Sequence, residues 1–181
     1  MTHKDYLQKT DPEIASKYKL ALEKQKNNRL KQSRQLFTEI ITHNKGFVPA
    51  YNRLGIIAIY ENDFQQAQQF LEQALQLDEE YLPAMLTLGN LYQKKNKLQQ
   101  AKEIYQQIIN KDKKYGAAYN NLAAIYKKEG NSAEAIKYMK KARKYGSLNY
   151  ELEKPLYKEP RILGAVLFLI VFIVIIISFF V

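Results

Sequence analysis

The stretch that decides the fold is YNRLGIIAIYENDFQQAQQFLEQAL, residues 51–75. Its apolar residues recur every three or four positions, first before residue 61 and again from residue 64 onward. This is the spacing of one face of an α-helix. The polar pair Glu61–Asn62 separates the two halves. The stretch therefore predicts two amphipathic helices joined by a tight turn.

The same pattern returns twice downstream, in MLTLGNLYQKKNKLQQAKEIYQQII (85–109) and YNNLAAIYKKEGNSAEAIKYMKKAR (119–143). Leu54, Leu88 and Leu122 mark the copies at intervals of 34 residues. Extending the interval backwards identifies a more divergent first copy in LALEKQKNNRLKQSRQLFTEII (20–41). A fixed period of this length is typical of repeat architectures. We therefore predict a cap segment, 1–13, that shields one end of the repeats, followed by four units: 14–47, 48–81, 82–115 and 116–149.

This pattern resembles the tetratricopeptide repeat family, and the resemblance covers residues 14–149. It implies an all-α fold, a right-handed superhelical solenoid of about eight repeat helices in which the first helix of each unit lines a concave groove. The tryptophan usual in the first helix is absent, and Tyr51, Met85 and Tyr119 stand in its place. Because a single unit cannot bury its apolar stripe alone, we expect the units to stack.

The resemblance also implies which residues would contact a protein partner in the groove. Amide side chains there could both donate to and accept from an extended backbone. The alternative is that the isoleucines and tyrosines only pack between units. A chaperone carboxy-terminus is not expected as the ligand, because the family's lysine and asparagine clamp is missing. The implied groove residues are Tyr18, Leu22, Asn52, Ile56, Ile59, Tyr60, Leu86, Asn90, Lys94, Asn120, Lys127 and Lys128.

The end of the sequence is an uncharged run of 20 residues, 162–181. A helix of that length rises about 30 Å, the thickness of a bilayer's hydrocarbon core. Because the run closes the sequence and follows Lys154, Lys158 and Arg161, we expect a single-pass, tail-anchored protein whose bulk is cytoplasmic. Residues 150–161 would form a juxtamembrane linker. A composition rich in Lys, Asn, Ile, Tyr and Gln favours a bacterial source, and hence the inner membrane.

Charge is unevenly distributed among the units. Unit 48–81 has one basic and six acidic residues, unit 14–47 has eight and two, and each later unit has seven and two. A basic residue near an anionic leaflet contributes on the order of 1 kcal/mol, so anionic lipid headgroups are a candidate partner. A solvated lysine-rich face is the alternative. The membrane-proximal basic residues are Lys137, Lys140, Lys141, Arg143, Lys144 and Arg161.

Nothing in the sequence points to catalysis. There is no cysteine, which excludes disulfides and thiolate zinc sites. His3 and His43 lack metal-ligand spacing, and no phosphate-binding loop, dinucleotide glycine motif or nucleophile elbow is present. We expect no enzyme activity, cofactor, metal or small-molecule substrate. A net charge of +10 without a nucleic-acid-reading motif does not indicate a nucleic-acid partner.

Three functions stay open at this point. The first is a membrane-anchored adaptor that recruits or scaffolds a soluble protein or enzyme assembly at the cytosolic membrane face. The second is a permanent structural or anchoring subunit of a larger membrane complex or filament. The third is a tail-anchored receptor of the organelle fission or import type, which would require a eukaryotic source.

Overall fold

A computed structural model describes residues 3–146, which lie within one unit of the chain, Met1–Asn149. The predicted linker 150–161 and the predicted span 162–181 lie outside the described residues. No helix within the described range is both long enough and apolar enough to cross a bilayer. The described residues form no strand; their helices are α1 (His3–Lys9), α2 (Pro12–Lys26), α3 (Leu30–His43), α4 (Val48–Tyr60), α5 (Phe64–Leu77), α6 (Leu82–Lys94), α7 (Leu98–Lys111), α8 (Gly116–Lys128) and α9 (Ser132–Lys144).

The helices from α2 onward pack as helix-turn-helix pairs, namely α2–α3, α4–α5, α6–α7 and α8–α9. The second helix of each pair packs against the first helix of the next pair. First helices also contact one another, α4 with α6 and α6 with α8, whereas no contact of that extent joins second helices among the described residues. The stack therefore curves with its first helices on the inner side. We call the surface formed by α2, α4, α6 and α8 on that side the inner face.

The turn within each pair has the same backbone conformation. Asn28, Asn62, Asn96 and Gly130 have φ values of 58°, 61°, 58° and 78°, and they are spaced 34 residues apart. The next residue donates its N–H to a carbonyl five positions earlier, as Arg29 does to Lys24 at 2.8 Å. This is the Schellman ending of a helix, which favours glycine or asparagine at the left-handed position.

Three helices begin with residues that are typical of helix starts. Asp11 caps α2 by accepting a hydrogen bond from the N–H of Glu13 at 2.7 Å, and Pro12 takes the first helical position. Pro49 and Pro83 lie in the first turns of α4 and α6, where a missing N–H costs little. These residues mark the first turns of α2, α4 and α6.

Small residues allow the two helices of a pair to approach closely. A methyl group built on Gly55 would lie 2.8 Å from Cγ of Leu71, and one built on Gly89 would lie 2.5 Å from Cε1 of Tyr105. Both distances are shorter than carbon–carbon van der Waals contact. The glycines therefore face the second helix of their own pair.

The last described pair differs from the others in one respect. Phe37, Leu71 and Tyr105 recur at the repeat interval and are fully buried, but Met139, next in the same series, is 56 % exposed. In the earlier pairs this position faces the next first helix as well as its own partner, and no further pair follows among the described residues. Among residues 3–146, no helix therefore covers that side of α8–α9.

Candidate protein-binding face

The inner face is closed at the start of the stack. Tyr18, an implied groove residue of α2, is only 1 % exposed. Its ring packs against Phe37 at 5.5 Å between centroids and against Phe47 at 5.2 Å. The side chain therefore belongs to the core between the first two pairs, and its assignment to a partner surface needs correction.

Three further implied groove residues are also buried. Asn52 and Ile56 of α4 are 1 % and 3 % exposed, and Leu86 of α6 is 6 % exposed. Each lies on a first helix that is packed against neighbouring first helices, and α4 is additionally covered by α1. In the conformation described, these side chains offer almost no surface to a partner.

The next group is partly exposed: Leu22, Ile59, Tyr60 and Asn90. Asn90 is also fixed in place, because its Oδ1 accepts hydrogen bonds from Tyr105 Oη at 2.8 Å and from Asn121 Nδ2 at 2.7 Å. The second bond joins α6 to α8. Asn90 thus links consecutive pairs, a role that the repeat pattern did not reveal.

The far half of the inner face is open and basic. Lys94 of α6 and Asn120, Lys127 and Lys128 of α8 are exposed. Lys94 Nζ lies 3.4 Å from the carbonyl oxygen of Ile59 in the preceding pair. Lys128 Nζ similarly donates to Oδ1 of the preceding pair's turn asparagine at 2.8 Å. These ammonium groups are therefore held at the ends of the first helices while remaining in contact with solvent.

The segment predicted as an end cap lies elsewhere. Helix α1 packs against α4, in the second pair. The Tyr6 hydroxyl donates to Oδ2 of Asp78 at 2.8 Å, and the ring contacts Phe47 and Tyr81 edge-on. Burial, together with the hydrogen bond and negative charge of Asp78, raises the pKa of Tyr6. The sequence contains one signal for this contact, the apolar pair Tyr6–Leu7 in an otherwise polar segment. It does not indicate where on the stack the segment docks.

The basic residues of α9 are exposed, as expected for a charged face. The Lys137 Nζ forms an ion pair with Glu134 at 3.0 Å, and the hydrogen bond to Glu134 raises the pKa of Lys137. The Lys141 Nζ lies 5.5 Å from the centroid of the Tyr119 ring. Arg161 lies outside the described residues. Within the described range, no group of three or more His, Cys, Asp or Glu side chains could hold a metal ion.

The described residues thus define a class of protein, an α-helical repeat stack with a curved inner face that is buried at one end and open at the other. A tetratricopeptide repeat family model matches residues 58–126, and a second tetratricopeptide repeat model matches residues 116–144. The chain therefore contains tetratricopeptide repeats.

Solved structures share this fold. A crystal structure of MamA is 23 % identical, with a TM-score of 0.61 over 79 % of this chain and 84 % of that chain. PilF of Pseudomonas aeruginosa is 19 % identical, with a TM-score of 0.63 over 74 % and 61 %. A tetratricopeptide repeat protein of Parabacteroides merdae is 17 % identical, with a TM-score of 0.65 over 73 % and 52 %. At these identities the likeness shows a common fold. The comparison with curated proteins found no match.

Proposed function

We propose that this protein is a membrane-anchored adaptor whose tetratricopeptide repeats hold a soluble protein partner at the cytoplasmic face of the membrane. The pair α2–α3, which precedes the matched residues, would be a fourth repeat of the same kind, with the unit boundaries 14–47 to 116–149. The anchor would be the uncharged run 162–181. Both elements rest on sequence reasoning and enter the proposal as such.

The observation that supports the partner site is the change in exposure along the inner face. Asn52 and Ile56 of α4 are buried, whereas Asn120 and Ala124, at the corresponding positions of α8, are exposed. Lys127 and Lys128 are also exposed, where α4 has the partly exposed Ile59 and Tyr60. Exposed amides can bond a peptide backbone, and exposed ammonium groups attract carboxylates. The open half of the inner face therefore suits an acidic protein segment.

A site-specific photo-crosslinker tests the location of this site. We expect a crosslinker at Ala124, exposed on α8, to capture a partner in native membranes. A matched probe at Gln107, exposed on the second helix α7, should capture none. Equal products from both positions, or a product from Gln107 alone, would move the partner to the outer face.

Truncation tests the anchor separately. The chain shortened to residues 1–161 should leave the membrane fraction and keep its helical circular dichroism, since the described pairs contain their own buried core. If the shortened chain still sediments with membranes, a protein contact holds it there. That result would favour the alternative function, a permanent subunit of a larger membrane complex.

A second contact, with anionic lipid, is suggested by α9. Ile136 and Met139 are 53 % and 56 % exposed, and Lys140 and Arg143 follow on the same helical face. Apolar and basic side chains on one exposed helix are typical of binding at a membrane surface. Flotation of the 1–161 chain with vesicles should require anionic lipid and should weaken in Lys140→Gln/Arg143→Gln. Flotation that is equal with neutral vesicles would exclude a headgroup contact.

A further inference from the structure

Tyr6 makes the aromatic contacts that dock helix α1 on the stack. The Tyr6 ring lies 6.2 Å from Phe47 and 5.7 Å from Tyr81, with interplanar angles of 81° and 84°. Phe47 and Tyr81 are the residues that immediately precede α4 and α6. The Tyr6 hydroxyl reaches Asp78 at 2.8 Å, in the loop between α5 and α6. A single tyrosine therefore joins α1 to the starts of two consecutive pairs.

Further contacts come from Leu7 and from Thr10, just after α1. Leu7 packs against the core around Phe47, and Asn44 Nδ2 donates to Oγ1 of Thr10 at 3.4 Å. Lys4, Gln8 and Lys9 are exposed. A seven-residue helix is not stable alone in water, so α1 depends on its docking contacts. The buried clusters consist of residues from α2 to α6, and α1 adds only the partly buried Tyr6 and Leu7 to them, so we expect α1 to separate without unfolding the stack.

Helix α4, to which α1 docks, carries an unsatisfied polar group. The Asn52 side chain is 1 % exposed, and its Oδ1 accepts no hydrogen bond among the described residues. A buried amide oxygen without a donor is unfavourable, because folding removes its water and supplies nothing in return. Asn52 also stands at an implied groove position. A donor supplied by a bound segment would satisfy it.

We propose that α1 is a displaceable strap on the inner face and that the site beneath it binds a partner segment carrying a tyrosine followed by an aliphatic residue. The present occupant defines this chemistry. The rings of Phe47 and Tyr81 receive an aromatic side chain, Asp78 accepts a hydrogen bond from its hydroxyl, and the core around Phe47 receives the next side chain. The inference rests on the proposed function only in taking the inner face as the binding face.

The probe for this site is a fluorescein-labelled peptide of residues 2–13, THKDYLQKTDPE, added to the full-length chain in detergent micelles. In Tyr6→Ala the strap loses its ring and the site opens, so the peptide should bind this variant at least tenfold more tightly than wild type, as measured by fluorescence anisotropy. The matched variant Lys9→Ala, altered on the exposed side of α1, should behave as wild type. A peptide with its tyrosine replaced by alanine should not bind.

Hydrogen exchange distinguishes release of α1 from unfolding of the helix pairs. In Tyr6→Ala, amides of α4 should exchange faster while those of α7 are unchanged, which shows release of α1 without unfolding. Should α7 also lose protection, Tyr6→Phe replaces it as the test, because it keeps the ring and removes only the bond to Asp78. Peptide affinity for Tyr6→Phe should then lie between those of wild type and Tyr6→Ala.

Several outcomes would overturn the strap. Equal affinity for wild type and Tyr6→Ala, or no binding to Tyr6→Ala and Tyr6→Phe, would do so. A wild-type dimer that dissociates on addition of the peptide would assign the site to α1 of a second copy instead of a partner. The crosslinking experiment at Ala124 does not depend on the peptide experiment. If the peptide binds as expected but Ala124 captures no partner, the proposed function is rejected and the proposal for α1 remains supported.

Discussion

The close approach of α6 and α7 at Gly89 leads to a prediction about stability. Replacing Gly89 by alanine places a methyl group 2.5 Å from Cε1 and 3.0 Å from Cδ1 of Tyr105. The ring is fully buried. Its hydroxyl is also held, because it donates to Oδ1 of Asn90 at 2.8 Å and lies 3.1 Å from Oε1 of Gln93, the alternative acceptor. The ring cannot move away without loss of this hydrogen bond, so the helices themselves must separate.

Two opposing effects set the magnitude. Overpacking of a core costs about 1–3 kcal/mol, and alanine is favoured over glycine inside a helix by roughly 1 kcal/mol. We expect Gly89→Ala to lower the free energy of unfolding by about 1–2 kcal/mol, since the ring is fixed. At Gly55 the opposing group is the flexible Leu71, whose Cγ would lie 2.8 Å away. Gly55→Ala should cost less, about 1 kcal/mol or below.

Urea unfolding followed by circular dichroism measures both changes in the purified chain. The fourth pair supplies the design of a rescue, because it has Ala123 in the place of Gly89 and Met139 in the place of Tyr105. In a Tyr105→Met background, Gly89→Ala should therefore lose most of its cost. The double-mutant cycle isolates the clash from the hydrogen bonding lost with the tyrosine hydroxyl.

Two results would refute the reasoning. If Gly89→Ala unfolds at the same or a higher urea concentration than wild type, the helix preference outweighs the contact and the ring must be free to shift. If Gly89→Ala lowers the free energy of unfolding equally in the Tyr105→Met background, the clash with the Tyr105 ring is not the cause.

Three further predictions follow from the turns, the ion pairs and the strap. Asn96→Gly should preserve stability and Gly130→Ala should lower it by about 1 kcal/mol in urea unfolding, because both positions have positive φ; equal effects of the two would contradict this. Lys102→Gln removes the ion pair with Glu129 at 2.9 Å and should cost at most about 1 kcal/mol, less at high salt; a larger cost that salt does not change would reveal a different role for Lys102. Since the pKa of Tyr6 is raised in the docked state, docking of α1 should be fully favourable below the free tyrosine pKa of about 10 and weaken as pH rises above it. Hydrogen exchange of α4 should show this weakening in wild type but not in Tyr6→Phe, and identical pH profiles would remove Tyr6 as the cause.

The helices and their turns were accessible from the sequence because they depend on local chemistry. The repeat interval locates the left-handed residues, and the caps and first-turn prolines locate the helix starts. Gly55 and Gly89 recur at the repeat interval and lie at the close approach within pairs. The family models confirm tetratricopeptide repeats within residues 58–144, whereas the groove, the anchor and the unit boundaries stay predictions.

The burial of the inner face could not be read from the repeat. Tyr18, Asn52 and Ile56 occupy positions whose exposure depends on neighbouring pairs and on a non-repeating helix. The interval says nothing about where α1 docks, because Tyr6 meets Asp78 across 72 positions of sequence. Likewise, Met139 matches buried residues in sequence and differs only because of its place at the end of the described stack.

The shared conformation of the four turns has an evolutionary consequence. Each helix pair has a residue in the left-handed conformation at the same position of its turn. A gene segment that encodes one pair can therefore be duplicated or deleted and rejoined to an equivalent backbone. Only side chains at the new junction would have to adapt. Inserting or deleting one residue inside a turn has no such remedy, because it rotates everything downstream relative to everything upstream.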